Sequence, residues 1–280
     1  MSRFAPKHCL LGHAVAALKT YAAVRVTILA VALVVHHLDP AYSLAGIPAA
    51  WDGGWYIRIA QHGYPHTVPQ TFNAIAFLPL MPAAIWLAHT ASGFLTWPAA
   101  ASLVSLLAGA VFVTFATLLA TETFGVRRGR QAGAILAAFP GLFVAGLGYP
   151  EPLALALVAA AFILIRRHSY AAGVAAGLAM VTTPVVLPLA GALAWELRRY
   201  RRRGVVALSV AVMGPLGWFL ALWAWTGDPA AWLDAERPWG NALAAPWRGG
   251  TWSMLTTTIG AGGIFWMTLA SAWRVTDSRS

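Results

Sequence analysis

Long apolar runs alternate along this chain with short polar interruptions. Three runs set the scale: Tyr21–Val35, Pro98–Ala120 and Gly204–Trp225. Each approaches the ~20 residues a helix needs to cross a bilayer. The pattern predicts a first span over 21–38 and an outer loop over 39–72. Asn73–His89 follows, apolar but interrupted by Pro79 and Pro82. It reads as a re-entrant or partly inserted helix, or as one of a pair whose second crossing is unplaced. Spans over 98–120, 131–148 and 153–165 come next. Ser169–Leu197 has basic residues at both ends. Two helices of ~13 residues there would reach only ~20 Å each, short of a ~30 Å hydrocarbon core. Their apex, Thr182-Thr183-Pro184, would then sit inside the membrane, where broken backbone is tolerated if protein or water covers it. A span over 204–225, an outer loop over 226–250 and a last span over 252–273 complete the pattern.

Composition agrees with this reading. The 280 residues are 59% hydrophobic and 10% charged, where a soluble domain has about 25% charged residues. No long polar block marks a separate soluble domain, so residues 1–280 read as one integral membrane domain. The basic start before an apolar run, without a clear small-residue cleavage site, reads as an uncleaved signal anchor. The single cysteine, Cys9, excludes an intrachain disulfide, and no CxxC or HExxH pattern announces a metal site.

The net charge of +10 raises nucleic acid as a partner, but its distribution points to membrane lipid. Basic residues gather at segment ends: Arg127, Arg128 and Arg130; Arg166 and Arg167; Arg198, Arg199, Arg201, Arg202 and Arg203. That is the signature of cytoplasmic loops, anchored near anionic lipid. With the N-terminus inside, six of the nine acids fall outside: Asp39, Asp52, Glu151, Asp228, Asp234 and Glu236.

One segment breaks the apolar theme: WDGGWYIRIAQHGYP, Trp51–Pro65. Asp52 precedes a helix-compatible run, Gly53–His62, closed by Gly63. Asp is a favoured helix N-cap and Gly a favoured terminator. Trp55, Tyr56, Ile59 and Ala60 share one helical face, while Arg58, Gln61 and His62 point elsewhere. The plain reading is a short amphipathic helix on the outer membrane surface, capped by Asp52 and anchored by Trp51 and Trp55. The functional reading makes Asp52, near Arg58 and His62, a general base at the membrane interface. Sugar transfer requires such a base for an acceptor hydroxyl, with cations or backbone donors to receive a phosphate leaving group.

Other candidates are weaker. Glu151, after Tyr149-Pro150, stands at an outer helix end. His36-His37-Leu38-Asp39 has metal-ligating residue types but no second group to complete a site. The loop over 226–250 joins acids with Arg237 and Arg248 and with Trp232, Trp239 and Trp247, a set suited either to stacking on sugars and pairing with phosphate or to an interfacial aromatic belt. Thr182 and Thr183 are residues that ordinarily bond to backbone within a helix.

Four blocks together resemble the family of GPI mannosyltransferase II and its bacterial relatives. Trp51, Asp52, Tyr56, Ile59, Ala60, Gly63 and Tyr64 match its WD-x-x-x-Y/F-x-x-IA-x-x-GY block. Ala76, Phe77, Pro79, Leu80 and Pro82 match its A-F-x-P-L-x-P block. Tyr149, Glu151 and Leu153 resemble a Y-S-E-S-L segment, and Ala176, Gly177, Leu178, Ala179, Thr182 and Pro184 an A-G-L-A-x-x-T-R-P segment. The resemblance covers about Trp51 to Leu187.

It implies an all-α, polytopic fold of the GT-C glycosyltransferase kind, with about seven to nine membrane helices, short or re-entrant ones included. It implies a polyprenyl-phosphate sugar as donor, mannose above all, and a glycolipid or other surface acceptor, with inversion at the sugar. Asp52 then becomes the general base. Trp51, Tyr56, Arg58, His62, Tyr64, Tyr149, Glu151, Thr182, Thr183, Arg237 and Arg248 are candidates for substrate binding. The chemistry leaves room for a divalent cation. The high Ala and Arg content suggests a bacterial plasma membrane with the site facing the periplasm or exterior. Thr183 stands where the family has arginine, which removes a phosphate partner unless Arg58, Arg237 or Arg248 substitutes. An inactive relative that binds lipid-linked sugar or supports a partner enzyme is the alternative reading. A small transporter or flippase is the third, although no inverted repeat is visible.

Overall fold

The computed structural model describes residues 7–41, 43–165, 169–186 and 202–240. These form helices and turns, with no strand among the described residues. Nine α-helices appear among them: α1 (Lys7–Leu38), α2 (Asp52–His62), α3 (Leu80–Ser92), α4 (Trp97–Phe124), α5 (Val126–Ala138), α6 (Glu151–Leu164), α7 (Ser169–Met180), α8 (Arg202–Thr226) and α9 (Ala231–Glu236). Among the described residues, three helices are long and apolar enough to cross a membrane: Ala14–Leu38 within α1, α4 and α8. A fourth crossing is added if Pro140–Gly146 and Glu151–Leu164, bent by 106°, count as one. The last predicted span, over 252–273, Arg248 and the second half of the 169–197 hairpin lie outside the described residues.

The chain contacts divide into two compact units. The larger comprises the described parts of Met1–Tyr64 and Phe77–Ala221. Its centre is α4, which starts under the control of Thr96, whose hydroxyl accepts the Ala99 N–H at 3.4 Å, with Pro98 in the first turn. A stripe of α4 is buried at a spacing of four residues, Ala101, Ser105, Gly109, Val113, Thr117 and Thr121, with Ala100 and Ala108 buried beside it. Helix α1 packs on it in the opposite direction, with Tyr21 donating to the Leu106 carbonyl at 2.9 Å. A Cβ at Gly133 of α5 would strike Thr117 of α4 and come within 3.0 Å of Ala17 in α1. Close approach through small residues is how helices associate where no water drives them together.

Helices α6 and α7 form an antiparallel pair, with Ala161 and Ile165 set against Ala172 and Ala176, and Ala154 against Ala179. Helix α8 runs parallel to α7, because Gly173 meets Ala207 while Gly177 meets Ala211. The chain therefore begins α7 and α8 at the same end. Five exposed arginines mark that end: Arg127, Arg128 and Arg130 at the start of α5, and Arg202 and Arg203 at the start of α8. Asp39, Asp52 and Glu151 lie at the other, where α1 ends and α4 and α6 begin.

Several expectations are corrected. The 131–148 span is not one helix. The helix α5 starts at Val126 and stops at Ala138, after which Pro140–Gly146 forms a 3-10 segment. Pro140 holds Phe139 extended, at φ −61° and ψ 125°. The first helix begins well before residue 21, at Lys7. The return helix predicted from 153 already starts at Glu151. Helix α3, at 13 residues, reaches only ~20 Å and cannot cross alone. Gly93 in the left-handed conformation ends it, and His89, stacked on Trp97 at 3.7 Å, folds it back toward α4.

The smaller unit joins Pro65–Ala76 to the described residues from Leu222 onward. Asn73, 4% exposed, organises it: its amide donates to the Thr71 carbonyl at 2.9 Å and its oxygen accepts the Ile75 N–H at 3.0 Å. Trp232 of α9 donates through Nε1 to the Ala76 carbonyl at 3.2 Å.

Candidate functional site

The site is built where two turns touch. The first runs from the 3-10 segment Leu44–Ala49 into α2. The second joins the 3-10 segment Pro140–Gly146 to α6. The Gly148 N–H donates to the Pro48 carbonyl at 3.0 Å. Glycine is needed on both sides. A Cβ at Gly53 would collide with the Pro48 oxygen, and one at Gly148 would lie 2.7 Å from the same oxygen and 3.2 Å from Ala101. Two serines of α4 hold the second turn from below: Ser102 donates to the Gly146 carbonyl and Ser105 to the Tyr149 carbonyl, each at 2.9 Å.

This contact sets Asp52 beside Tyr149 and Glu151. The Asp52 N–H donates to the Tyr149 hydroxyl at 3.4 Å. The two carboxylates are close enough to repel each other, and both act on the tyrosine between them. Glu151 opens α6, and its Oε2 is buried without a hydrogen-bond partner among the described residues. Asp52 is exposed at the surface of the unit, yet the protein around it partly desolvates its carboxyl and pushes it above its ordinary range, because desolvation disfavours the charged form. A carboxylate raised in this way is a better proton acceptor.

Asp52 does not cap α2. Trp51 takes that place with φ 50°, the one non-glycine residue at positive φ among those described, and makes no side-chain cap. Such a backbone is strained for a bulky residue, and it leaves the Trp51 side chain 75% exposed beside the carboxylate. Nor does α2 offer its apolar face to lipid headgroups. Gly53, Tyr56, Ile57, Ile59 and Ala60 are buried, with Trp55 stacked on Phe77 at 5.6 Å and Tyr56 edge-on to it at 5.1 Å. The face is covered by protein because the next block folds onto it.

The other candidates are dispersed. Tyr56 is a core residue, 5% exposed, and therefore packs rather than meets substrate. Arg58 is exposed, its guanidinium 4.9 Å from the centre of the Trp55 ring. His62 is exposed at the helix end, its Nδ1 3.2 Å from the Arg58 carbonyl. Tyr64 donates to the Phe77 carbonyl at 2.9 Å and tilts against Trp218 at 4.8 Å. Thr182 and Thr183 are buried, and Thr182 donates to the Leu178 carbonyl at 2.8 Å. Arg237 lies in the smaller unit and pairs with Asp234 at 3.1 Å. No group of three or more His, Cys, Asp or Glu side chains among the described residues is placed to hold a metal ion.

The four blocks singled out in the sequence meet in the larger unit. The first touches the second through Tyr64 and Phe77 and the third through Asp52 and Tyr149. The second touches the fourth through the Leu80 N–H, which donates to the Val181 carbonyl at 3.0 Å. Ser102, Ser105 and the Gly53–Gly148 approach escaped sequence reasoning. The only signal was two hydroxyls three residues apart in an apolar helix.

The described fold and site define a helical protein, fit for a membrane, with a carboxylate pair at one end. Comparison with known protein families, with curated proteins and with solved structures returns no match.

Proposed function

We propose that this chain is a membrane mannosyltransferase of the GT-C kind, with about seven to nine membrane helices in all. It moves mannose from a polyprenyl-phosphate-mannose donor to a hydroxyl of a glycolipid or other cell-surface acceptor, on the outer or lumenal face. Asp52 takes the proton of the acceptor hydroxyl as its oxygen bonds to the sugar C1. The bond from C1 to the phosphate oxygen breaks on the opposite face, and polyprenyl phosphate leaves, which inverts the configuration. The single observation that carries the reading is the partly desolvated Asp52 carboxyl set against Tyr149 and Glu151. The meeting of the four family-like blocks supports it.

The test is transfer of labelled mannose from the polyprenyl-phosphate donor by membranes carrying the protein. Asp52→Asn is expected to lower transfer by about 10²–10⁴-fold, the usual contribution of a general base, at unchanged protein level. Unchanged turnover defeats the assignment.

One observation favours the inactive-relative reading. Thr183, at the family's arginine position, is 5% exposed, so that position offers no cation to a phosphate. Donor binding by the purified protein without transfer, under conditions that support an active relative, would establish this second reading.

A further inference from the structure

Helix α1 carries a cation inside its apolar stretch. Arg25 stands in the middle of the apolar stretch Ala14–Leu38, among the exposed Val26, Ile28 and Leu29. An ionisable group in such a stretch is kept where it has a partner and a task. The partner is plain. Its Nη1 donates to the Leu142 carbonyl at 2.7 Å, and its guanidinium lies 5.0 Å from the centre of the Tyr21 ring. Tyr21 is itself fixed by its bond to Leu106.

The task follows from where Leu142 lies. It belongs to Pro140–Gly146, the 3-10 segment that replaces helix between α5 and α6. Irregular backbone at membrane depth must find its partners within the protein. Side chains from two helices supply them here: Arg25 to Leu142, Ser102 to Gly146 and Ser105 to Tyr149. The serines are neutral. Arg25 contributes the one charge-assisted bond of the three, the stronger kind, and reaches in from α1.

We infer that Arg25 is a positioning residue: it fixes the Pro140–Gly146 segment and thereby the placement of Tyr149 and Glu151 against Asp52. The geometric part stands whatever reaction runs at the site, and only its kinetic consequence rests on the transferase reading.

Hydrogen exchange on the full chain in lipid nanodiscs tests it without any substrate. In Arg25→Met, exchange at the Leu142, Leu147 and Gly148 amides, which donate to Phe139, Val144 and Pro48, is expected to rise by about tenfold or more. Amides of α7 should not change. Arg25→Lys, which keeps a charge and a donor, should restore most of the protection. Unchanged exchange over 142–148 overturns the inference. So does an equal rise in every helix, because Arg25 would then support the whole protein rather than this segment. If Arg25→Met fails to accumulate, Arg25→Gln, which keeps only a neutral donor on a shorter arm, should raise exchange at the same amides by a smaller factor. Where transfer is measurable, kcat per folded protein should fall in Arg25→Met with donor KM unchanged. Combining it with Glu151→Gln should cost less than the product of the two single effects. Local exchange that responds as expected in a protein without transfer sustains the positioning role and defeats only the transferase reading.

Discussion

At the scale of single residues, Asp52 is pulled in two directions. A carboxylate in the first turn of a helix is ordinarily stabilising, by about 0.3–1 kcal/mol. Burial of its charge opposes this. The carboxyl of Asp52 is raised, with desolvation as the cause, so burial wins. The sign for stability follows. A carboxyl whose folded-state pKa exceeds its unfolded value contributes stability below the unfolded value, and that contribution is lost as pH rises through the folded one. At neutral pH the charge of Asp52 is therefore slightly disfavoured in the folded chain, a small effect at an exposed side chain. Asp52→Asn should unfold at the same or a slightly higher temperature than the parent at pH 7, with the difference gone near pH 3, measured by intrinsic fluorescence in detergent. A lower midpoint at pH 7 would mean that the side chain serves as a helix cap or ion-pair partner. Stability unharmed while transfer is lost would separate a catalytic carboxylate from a structural one. If Asp52 is the base of the proposed transfer, transfer should rise with pH through a value above the usual carboxylate range of about 4.

At the scale of elements, what the sequence revealed and what it hid have separate causes. Asp52 and Glu151 were legible because a charged residue in an apolar context has few structural excuses. Their meeting was not, since it depends on a close approach of Gly53 and Gly148, 95 positions apart in the chain. An amphipathic face reveals that α2 is covered but not by what, and so a face buried under Phe77 resembled one meant for headgroups. The break at Phe139–Pro140 was written in the sequence, but a bilayer-length template smoothed over it. The glycine contact can be tested directly. Gly53→Ala would push a methyl group into the Pro48 carbonyl, a backbone atom that cannot swing aside. Overpacking of this kind costs about 1–3 kcal/mol. The expected result is a lower unfolding midpoint together with reduced transfer per folded molecule. Gly12→Ala in α1, where a Cβ meets nothing within 4 Å, should leave both unchanged or raise the midpoint slightly. Equal behaviour of the two variants would remove the contact from the account of the site.

At the scale of the molecule, the larger unit is polarised along its helices. Among the described residues, Arg127, Arg128, Arg130, Arg202 and Arg203 gather at one end, where Glu122 also stands at the close of α4. Asp39, Asp52 and Glu151 stand at the other, with Arg58 as the neighbouring cation on α2. Directions of packing establish this polarity: α1 against α4, α7 alongside α8. None of them depends on the charges. Cytoplasmic loops carry excess Lys and Arg, so the arginine end should face the cytoplasm and the Asp52 end the exterior. The single native cysteine, Cys9, makes the test clean. In a Cys9→Ser background, Trp51→Cys should react with a membrane-impermeant maleimide added to intact cells, because residue 51 is 75% exposed. Arg128→Cys, exposed at the other end, should react only after the cells are opened. The reverse pattern would put the carboxylates in the cytoplasm, where nucleotide sugars are at hand and a lipid-linked donor has no advantage. In that case the transferase reading would lose its substrate class even if the geometry around Asp52 were correct in every detail.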